Sequence, residues 1–432
     1  MYLDEIISAQ KHGEARGITS ICSAHPWVLK AAMQKETLRD SESLRVKLIE
    51  STCNQVNQFG GYTGMTPADF LRYVRGIAEE NNFPVENIIL GGDHLGPSVW
   101  QNEPAESAMQ KSMVMVSDYV GAGFLKIHLD CSMRLGDDPA GALDVEVSAK
   151  RAAGLAKVAE LSVGAGLVPA RLPRYVIGTE VPTPGGAQEH EETVSVTKVK
   201  DVEQTIQVTR EAFYRIGLQS AWERVIGVVV QPGVEFGDDF VLEYQSDKAK
   251  ELSRFIESQP MVYEAHSTDY QTRDALKNLV RDHFVILKVG PGLTFAFREA
   301  IFALAMTEDE LFPKDARSNI IRALDDVMVQ HPEHWQKYYR GSEEEQAFKR
   351  KYSFSDRLRY YWPHPQVGAA LEKLLRNLYE KPLPLSLPAQ LGQFSPLQYE
   401  RVRRGEIAWT PEAVIMDYIQ TVLRDYEAAC GC

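Results

Sequence analysis

Phe124-Leu125-Lys126-Ile127-His128-Leu129-Asp130 decides the fold. Read as a strand, it alternates strictly: Leu125, Ile127 and Leu129 share one face, while Lys126, His128 and Asp130 share the other. An apolar face belongs against helices, so the ionisable trio must turn toward an interior lined by other strands. Comparable runs recur on both sides of it: Ile18 to Ala24 (ITSICSA), Val46 to Thr52 (VKLIEST), Ile88 to His94 (IILGGDH), Tyr175 to Val181 (YVIGTEV), Arg224 to Gln231 (RVIGVVVQ), Met261 to His266 (MVYEAH) and Phe284 to Val289 (FVILKV). Together they make eight candidate strands.

Helix-like segments separate most of these runs, among them Thr66 to Asn81, Pro104 to Gly121, Val145 to Ala159, Val202 to Gly217 and Asp247 to Ser258. Alternating strand and amphipathic helix gives a parallel sheet covered by helices, and eight such units close a barrel. The expected fold is therefore α/β, a (β/α)₈ TIM barrel. A doubly wound open sheet is the alternative, but the G-x-G-x-x-G turn it usually carries does not follow Ile18 to Ala24. After Gly290 only helical patterns remain: Phe295 to Met306, Ser318 to Val329, Pro365 to Tyr379 and Pro411 to Ala428. This predicts a barrel over residues 1–306 and a helical C-terminal extension over 307–432. Val181 to Glu192, with Pro182-Thr183-Pro184-Gly185-Gly186, reads as a mobile loop over the active face.

Composition narrows the function. The chain has 432 residues, 44% apolar and 25% charged, with a formal net charge of −13. An acidic balance argues against nucleic acid or anionic membrane as a partner, since both need clustered Lys and Arg. One local cation still suffices for a phosphorylated small molecule. Five cysteines without a ligand-like spacing fit a reducing compartment. No segment approaches the roughly 20 apolar residues of a membrane span, and Met1 to Arg16 lacks the pattern of a signal peptide. The expectation is a cytoplasmic protein.

Barrel active sites lie at the carboxyl ends of the strands. The residues expected there are His25; Glu50, Thr52 and Asn54; Asp93 and His94; His128 and Asp130; Glu180; Gln231; Glu264 and His266; and Lys288. Gly91-Gly92-Asp93-His94-Leu95-Gly96-Pro97 is the sharpest cluster, its first two glycines read as letting the backbone pass close to a ligand. His94, Glu180 and His266 are the expected ligands of a divalent metal, zinc by donor type. Such a metal would polarise a ketose carbonyl while Asp93 handles a hydroxyl proton, with Glu50, Asp130 and Lys288 completing the catalytic set. A buried hydrogen-bonded network without metal is the competing reading. Lys288 has two readings as well: a desolvated amine able to form a Schiff base, or a cation neutralising Glu50 and Glu264. His25, Asn54, His128, Gln231 and Glu264 are the expected sugar contacts. Ser267, Thr268 and Gly290 sit in the loops where barrels commonly bind phosphate, although turn chemistry explains them equally. Tyr352 to Pro365 (YSFSDRLRYYWPHP) reads as aromatic packing of the extension onto the barrel, or else as a lid or subunit contact.

At these residues the sequence resembles the Z subunit family of bacterial D-tagatose-1,6-bisphosphate aldolase, the GatZ/KbaZ type. The resemblance is carried by Cys22-Ser23-Ala24-His25-Pro26, Glu50 to Pro67, Gly91 to Pro97, Lys126 to Asp130, Val176 to Pro182, Val229 to Phe236, Tyr263 to Thr272 and Tyr360 to His364. Cys131 to Ala142 departs from the family pattern. The resemblance implies a ketose or ketose phosphate ligand and a partner, a metal-dependent catalytic Y subunit whose activity and stability the Z subunit supports. It also implies galactitol and N-acetylgalactosamine catabolism. Homo-oligomers are compatible with it. Ketose 4-epimerisation by a stand-alone enzyme is the second expectation. A tagatose-6-phosphate kinase, a label carried in the family, is the third; the chain has no G-x-x-x-x-G-K-[ST] loop to support it.

Overall fold

The computed structural model describes residues 2–34, 46–164, 171–178, 194–381, 383–387 and 395–431. Eight parallel strands close into a barrel in chain order: β1 (Ile18–Ile21), β2 (Lys47–Thr52), β3 (Ile88–Leu95), β4 (Lys126–Leu129), β5 (Arg174–Ile177), β6 (Val225–Val229), β9 (Val262–Ala265) and β10 (Phe284–Val289), with β10 returning to β1. Six lie within the runs read from the sequence, while β3 extends one residue past its run to Leu95 and β5 begins one residue before its run at Arg174. The intervening β7 (Glu235–Phe236) and β8 (Val241–Leu242) form an antiparallel hairpin outside the barrel, too short to carry a legible alternation.

Parity sorts the strand side chains into two cores. Outward-facing residues such as Ile49, Ile127, Tyr175, Val228 and Leu287 pack against the helices in one large apolar cluster. Helix starts follow local chemistry: Thr66 opens Pro67–Glu80 with a reciprocal capping box to Asp69 and proline at the first turn. Inside the barrel the middle layer is ionic. Lys126 Nζ, fully buried, donates to Glu50 Oε1 and Oε2 at 2.7 and 2.9 Å and lies 2.5 Å from Glu264 Oε2. Lys288 Nζ sits 3.5 Å from the same two carboxylates and pairs closely with Asp93. Ser20 Oγ donates to Glu50 Oε1 at 2.6 Å. Gly91, level with Glu50 in the β2–β3 register, leaves the room this carboxylate fills: a Cβ there would stand 2.7 Å from Glu50 Cγ.

The chain returns to its own beginning. Helix Pro291–Leu311 follows β10 and runs through position 306; helices Ile320–Gln330, Glu343–Tyr352 and Pro365–Glu380 come next. Helix Pro411–Ala429 then packs beside β1, between helices Pro26–Met33 and Arg273–Arg281, with Pro291–Leu311 also against it. Gly17 N donates to Cys430 O at 3.0 Å, and Tyr426 Oη donates to Thr268 O at 2.6 Å. Among the described residues no helix is long and apolar enough to cross a membrane.

Burial would lower the Lys126 ammonium, but Glu264 and Glu50 beside it raise it, so the cation is held charged inside the barrel. Removing one partner of a buried ion cluster strands the others. Lys126→Met is expected to destabilise the fold by about 3–5 kcal/mol, read from urea unfolding; a loss below about 1 kcal/mol would show that the cluster is not a structural keystone.

Candidate functional site

A cavity of about 160 Å³ opens at the carboxyl ends of the strands. His25, Asn54, Asp93, His94, His266, Ser267, Lys288 and Gly290 line it, drawn from loops that the sequence separates by up to 265 positions (290 minus 25). Two adjacent residues, Asp93 and His94, both reach it because β3 is irregular. Its register on β4 shifts between Gly92 and Leu95, and His94 takes φ +48°. That left-handed conformation costs a residue with a side chain about 1–2 kcal/mol, and it breaks the alternation that would send neighbours to opposite faces. Ser267, at φ +53°, ends β9 in the same way.

Asp93, His94, His128 and His266 each bring a potential ligand atom to within 4.8 Å of the others. Each imidazole is also held by a carboxylate. His94 Nδ1 lies 2.8 Å from Asp130 Oδ2, His128 Nδ1 2.9 Å from Asp93 Oδ1, and His266 Nε2 2.9 Å from Glu264 Oε1. The backbone N–H of His94 also approaches His128 Nδ1 at 3.2 Å, but the ionised Asp93 favours a proton on that nitrogen. The outward nitrogens are then His94 Nε2, His128 Nε2 and His266 Nδ1. His128 Nε2 is buried without a hydrogen-bond partner. Carboxylate on one ring nitrogen and a free lone pair on the other is the arrangement of metal-binding histidines, and the nitrogen and oxygen donors are compatible with a divalent metal.

The electrostatics are not uniform across that set. Burial pushes His266 down to about 3, with the Lys288 charge adding to the effect, so it is a neutral donor. For His94 burial acts downward too, but Asp93 and Asp130 outweigh it and raise the imidazole above its ordinary value. Asp93 would be raised by burial, yet the charges of His94 and Lys288 and the His128 bond hold it well below the usual carboxylate range. Burial would lower Lys288, but Asp93 and Glu50 keep it well above the ordinary lysine value. This is the opposite of what a Schiff-base amine requires, and it matches the reading of Lys288 as a neutralising cation.

Several expected ligand contacts are placed elsewhere. Glu50, His128, Asp130 and Glu264 are not among the residues that line the cavity; Asp130 and Glu264 brace the histidines that do, and His128 joins their cluster beside Asp93. Gln231 is turned to its own loop, where Oε1 accepts from Gly233 N and Val234 N at 2.8 and 3.1 Å. Thr268 Oγ1 donates to Lys288 O at 2.6 Å and meets Tyr426 Oη at 3.0 Å, tying β10 to the last helix. Glu180 and the loop Val181 to Glu192 lie outside the described residues. The glycines of the cluster serve packing rather than ligand approach: a Cβ on Gly92 would come 2.5 Å from Leu95 Cδ1. The expected phosphate amides are also committed. Gly290 N and Gly292 N both donate to Asp269 Oδ1, at 2.9 and 2.7 Å.

The cavity residues that the sequence reading did not place in the site include Tyr62, Asp269, Arg359 and Tyr360. Arg359 and Tyr360 come from the aromatic stretch read as packing, or else as a lid or subunit contact, and its mixture of arginine and tyrosine is the signal for a site. Asp269 directly follows two residues that were singled out; a carboxylate beside an expected phosphate loop is the clue that the loop is capped.

The chain is matched over residues 3–431 by the family model described as "D-tagatose-1,6-bisphosphate aldolase subunit GatZ/KbaZ-like". It is 52% identical over 428 residues to the D-tagatose-1,6-bisphosphate aldolase subunit GatZ of Salmonella dublin, covering 99% of both chains. To the subunit of the same name from Klebsiella pneumoniae subsp. pneumoniae it is 51% identical over 429 residues, again with 99% of each covered. A crystal structure from Sinorhizobium meliloti 1021, described as "a probable tagatose 6 phosphate kinase", superposes with a TM-score of 0.86 at 48% identity, over 96% of this chain and 100% of that one. The chain belongs to the D-tagatose-1,6-bisphosphate aldolase subunit GatZ/KbaZ-like family.

Proposed function

We propose that the chain works as a subunit of a D-tagatose-1,6-bisphosphate aldolase in cytoplasmic tagatose catabolism, supporting a metal-dependent catalytic Y subunit, and that its own barrel mouth binds a divalent metal, zinc by donor type, and a ketose phosphate. The observation that carries the site is the convergence of Asp93, His94, His128 and His266, with a carboxylate on one nitrogen of every ring. The names of the relatives carry the rest.

The same cluster favours a second reading, a stand-alone ketose or ketose-phosphate 4-epimerase or aldolase. A divalent metal supplies Lewis-acid polarisation of the ketose carbonyl. Cleaving C3–C4 removes the C4 hydroxyl proton as the bonding pair moves toward C2. Asp93, held ionised between His128 and Lys288, is the acceptor for that proton. Lys288 balances the charge of Asp93, Glu50 and Glu264 through the step. Re-forming the bond on the opposite aldehyde face gives the 4-epimer; release gives the aldolase products. A kinase reading is favoured by the description of the Sinorhizobium meliloti structure alone; the sequence lacks the phosphate loop of P-loop kinases.

Asp130 touches no ligand position itself but holds the ring of His94. Asp130→Asn is expected to weaken zinc binding by about tenfold to a hundredfold, measured by competition with a chromophoric chelator; unchanged affinity would remove His94 from the ligand set. Co-expression with a Y-type partner separates the two readings. In the supporting role, the chain raises the partner's aldolase activity and soluble yield, and His94→Ala preserves this effect. In the stand-alone role, the zinc-loaded chain turns over ketose phosphates without a partner, and His94→Ala abolishes turnover. A chain that neither raises partner activity nor binds it in size-exclusion chromatography contradicts the first reading.

A further inference from the structure

The phosphate position commonly used in this type of barrel, the amides at the start of the helix after the last strand, is closed here. Asp269, almost fully buried, accepts from Gly290 N and Gly292 N and so stands where an anion would stand. A phosphate brought to this point would meet a carboxylate rather than free N–H groups. The anion must be held elsewhere in the mouth.

Apart from the imidazoles, the cationic side chains lining the cavity among the described residues are Lys288 and Arg359. Lys288 is surrounded by Asp93, Glu50 and Glu264. Arg359 is different. Its Nη1 donates to the carbonyls of Ser355 and Asp356, the latter at 2.9 Å, and its Nη2 donates to Tyr360 Oη at 3.0 Å. No carboxylate among the described residues pairs with it; Asp356 is used by Arg298, at 3.3 Å, and by Thr294. The carbonyls and the Tyr360 ring, 4.5 Å from the guanidinium, fix its position, and Tyr62 packs edge-on against Tyr360 with centroids 4.7 Å apart. The Nε–H and one Nη2 hydrogen remain without a protein acceptor among the described residues. A half-buried guanidinium pre-positioned by carbonyls, which feels Asp356 and Asp269 but is ion-paired with no carboxylate among the described residues, is suited to a phosphate, which it can grip through two parallel N–H bonds. His25 shares the cavity and offers a buried Nδ1 without a partner, suited to a sugar hydroxyl.

We propose that Arg359 is the anion anchor of the mouth, and that the site takes a ketose carrying one phosphate in preference to a ketose bisphosphate. The proposal rests on the reading of the mouth as a ketose-phosphate site. A second phosphate would find no unpaired cation among the described cavity residues and would face Asp269 or Asp93.

Calorimetric titration of the full zinc-loaded chain tests this with D-tagatose, D-tagatose 6-phosphate and D-tagatose 1,6-bisphosphate. The monophosphate is expected to bind at least about tenfold more tightly than the free sugar, and more tightly than the bisphosphate. Arg359→Gln should erase the advantage over the free sugar while leaving D-tagatose affinity in place, which also certifies that the cavity is folded. Arg359→Lys, which keeps the charge but not the fork, should retain part of it. Bisphosphate binding as tight as monophosphate binding, or a phosphate advantage that survives Arg359→Gln, overturns the proposal. Failure to support a Y-type partner, with Arg359-dependent monophosphate binding intact, overturns the aldolase-subunit role and leaves the anchor standing.

Discussion

Two buried lysines among three buried carboxylates fix the geometry of everything above them. Lys126 lies between Glu50 and Glu264, and Lys288 lies between the same two acids and Asp93. Inside a barrel each charge is tolerable only because its partners are already in place. The lattice ties β2, β4, β9 and β10 to one register, because a one-residue slip in any of them would carry its charge to the apolar outer face. Asp93 and Glu264 belong both to this layer and to the imidazole layer above it, so the histidines inherit their orientation from the ions below.

This is also why so much was legible in the sequence. Strict alternation in Phe124 to Asp130 places Lys126 and His128 in the interior, and the same parity joins Glu264 to His266. Pattern alone could not reveal where alternation fails. His94 reaches the mouth through a left-handed residue in an irregular strand, and no periodicity encodes that. Gln231 and Thr268 stood at the correct strand ends, but Gln231 is claimed by the N–H groups of its own loop and Thr268 by the carbonyl of Lys288 on the neighbouring strand, pairings that periodicity does not encode. Arg359 could not be placed from sequence because its position depends on how helices well beyond the last strand fold back over the mouth.

Family membership and site geometry inform different questions. Identity of 52% with GatZ subunits over nearly the whole length fixes the lineage. The mouth shows what the chain itself carries: a cluster of nitrogen and oxygen donors, a carboxylate seated on the helix terminus, and a guanidinium with no ion-paired carboxylate among the described residues.

The placement of helix Pro411–Ala429 bears on how the molecule comes to be made. During synthesis this segment emerges after every strand of the barrel, yet it covers the flank of β1 and grips the β9–β10 connection through Tyr426 and Thr268. A nascent chain with all eight strands outside the ribosome still has a bare apolar flank beside its first strand. The native state cannot be completed until this helix has emerged, and the interval before it is when the chain is most exposed to aggregation or to capture by a chaperone.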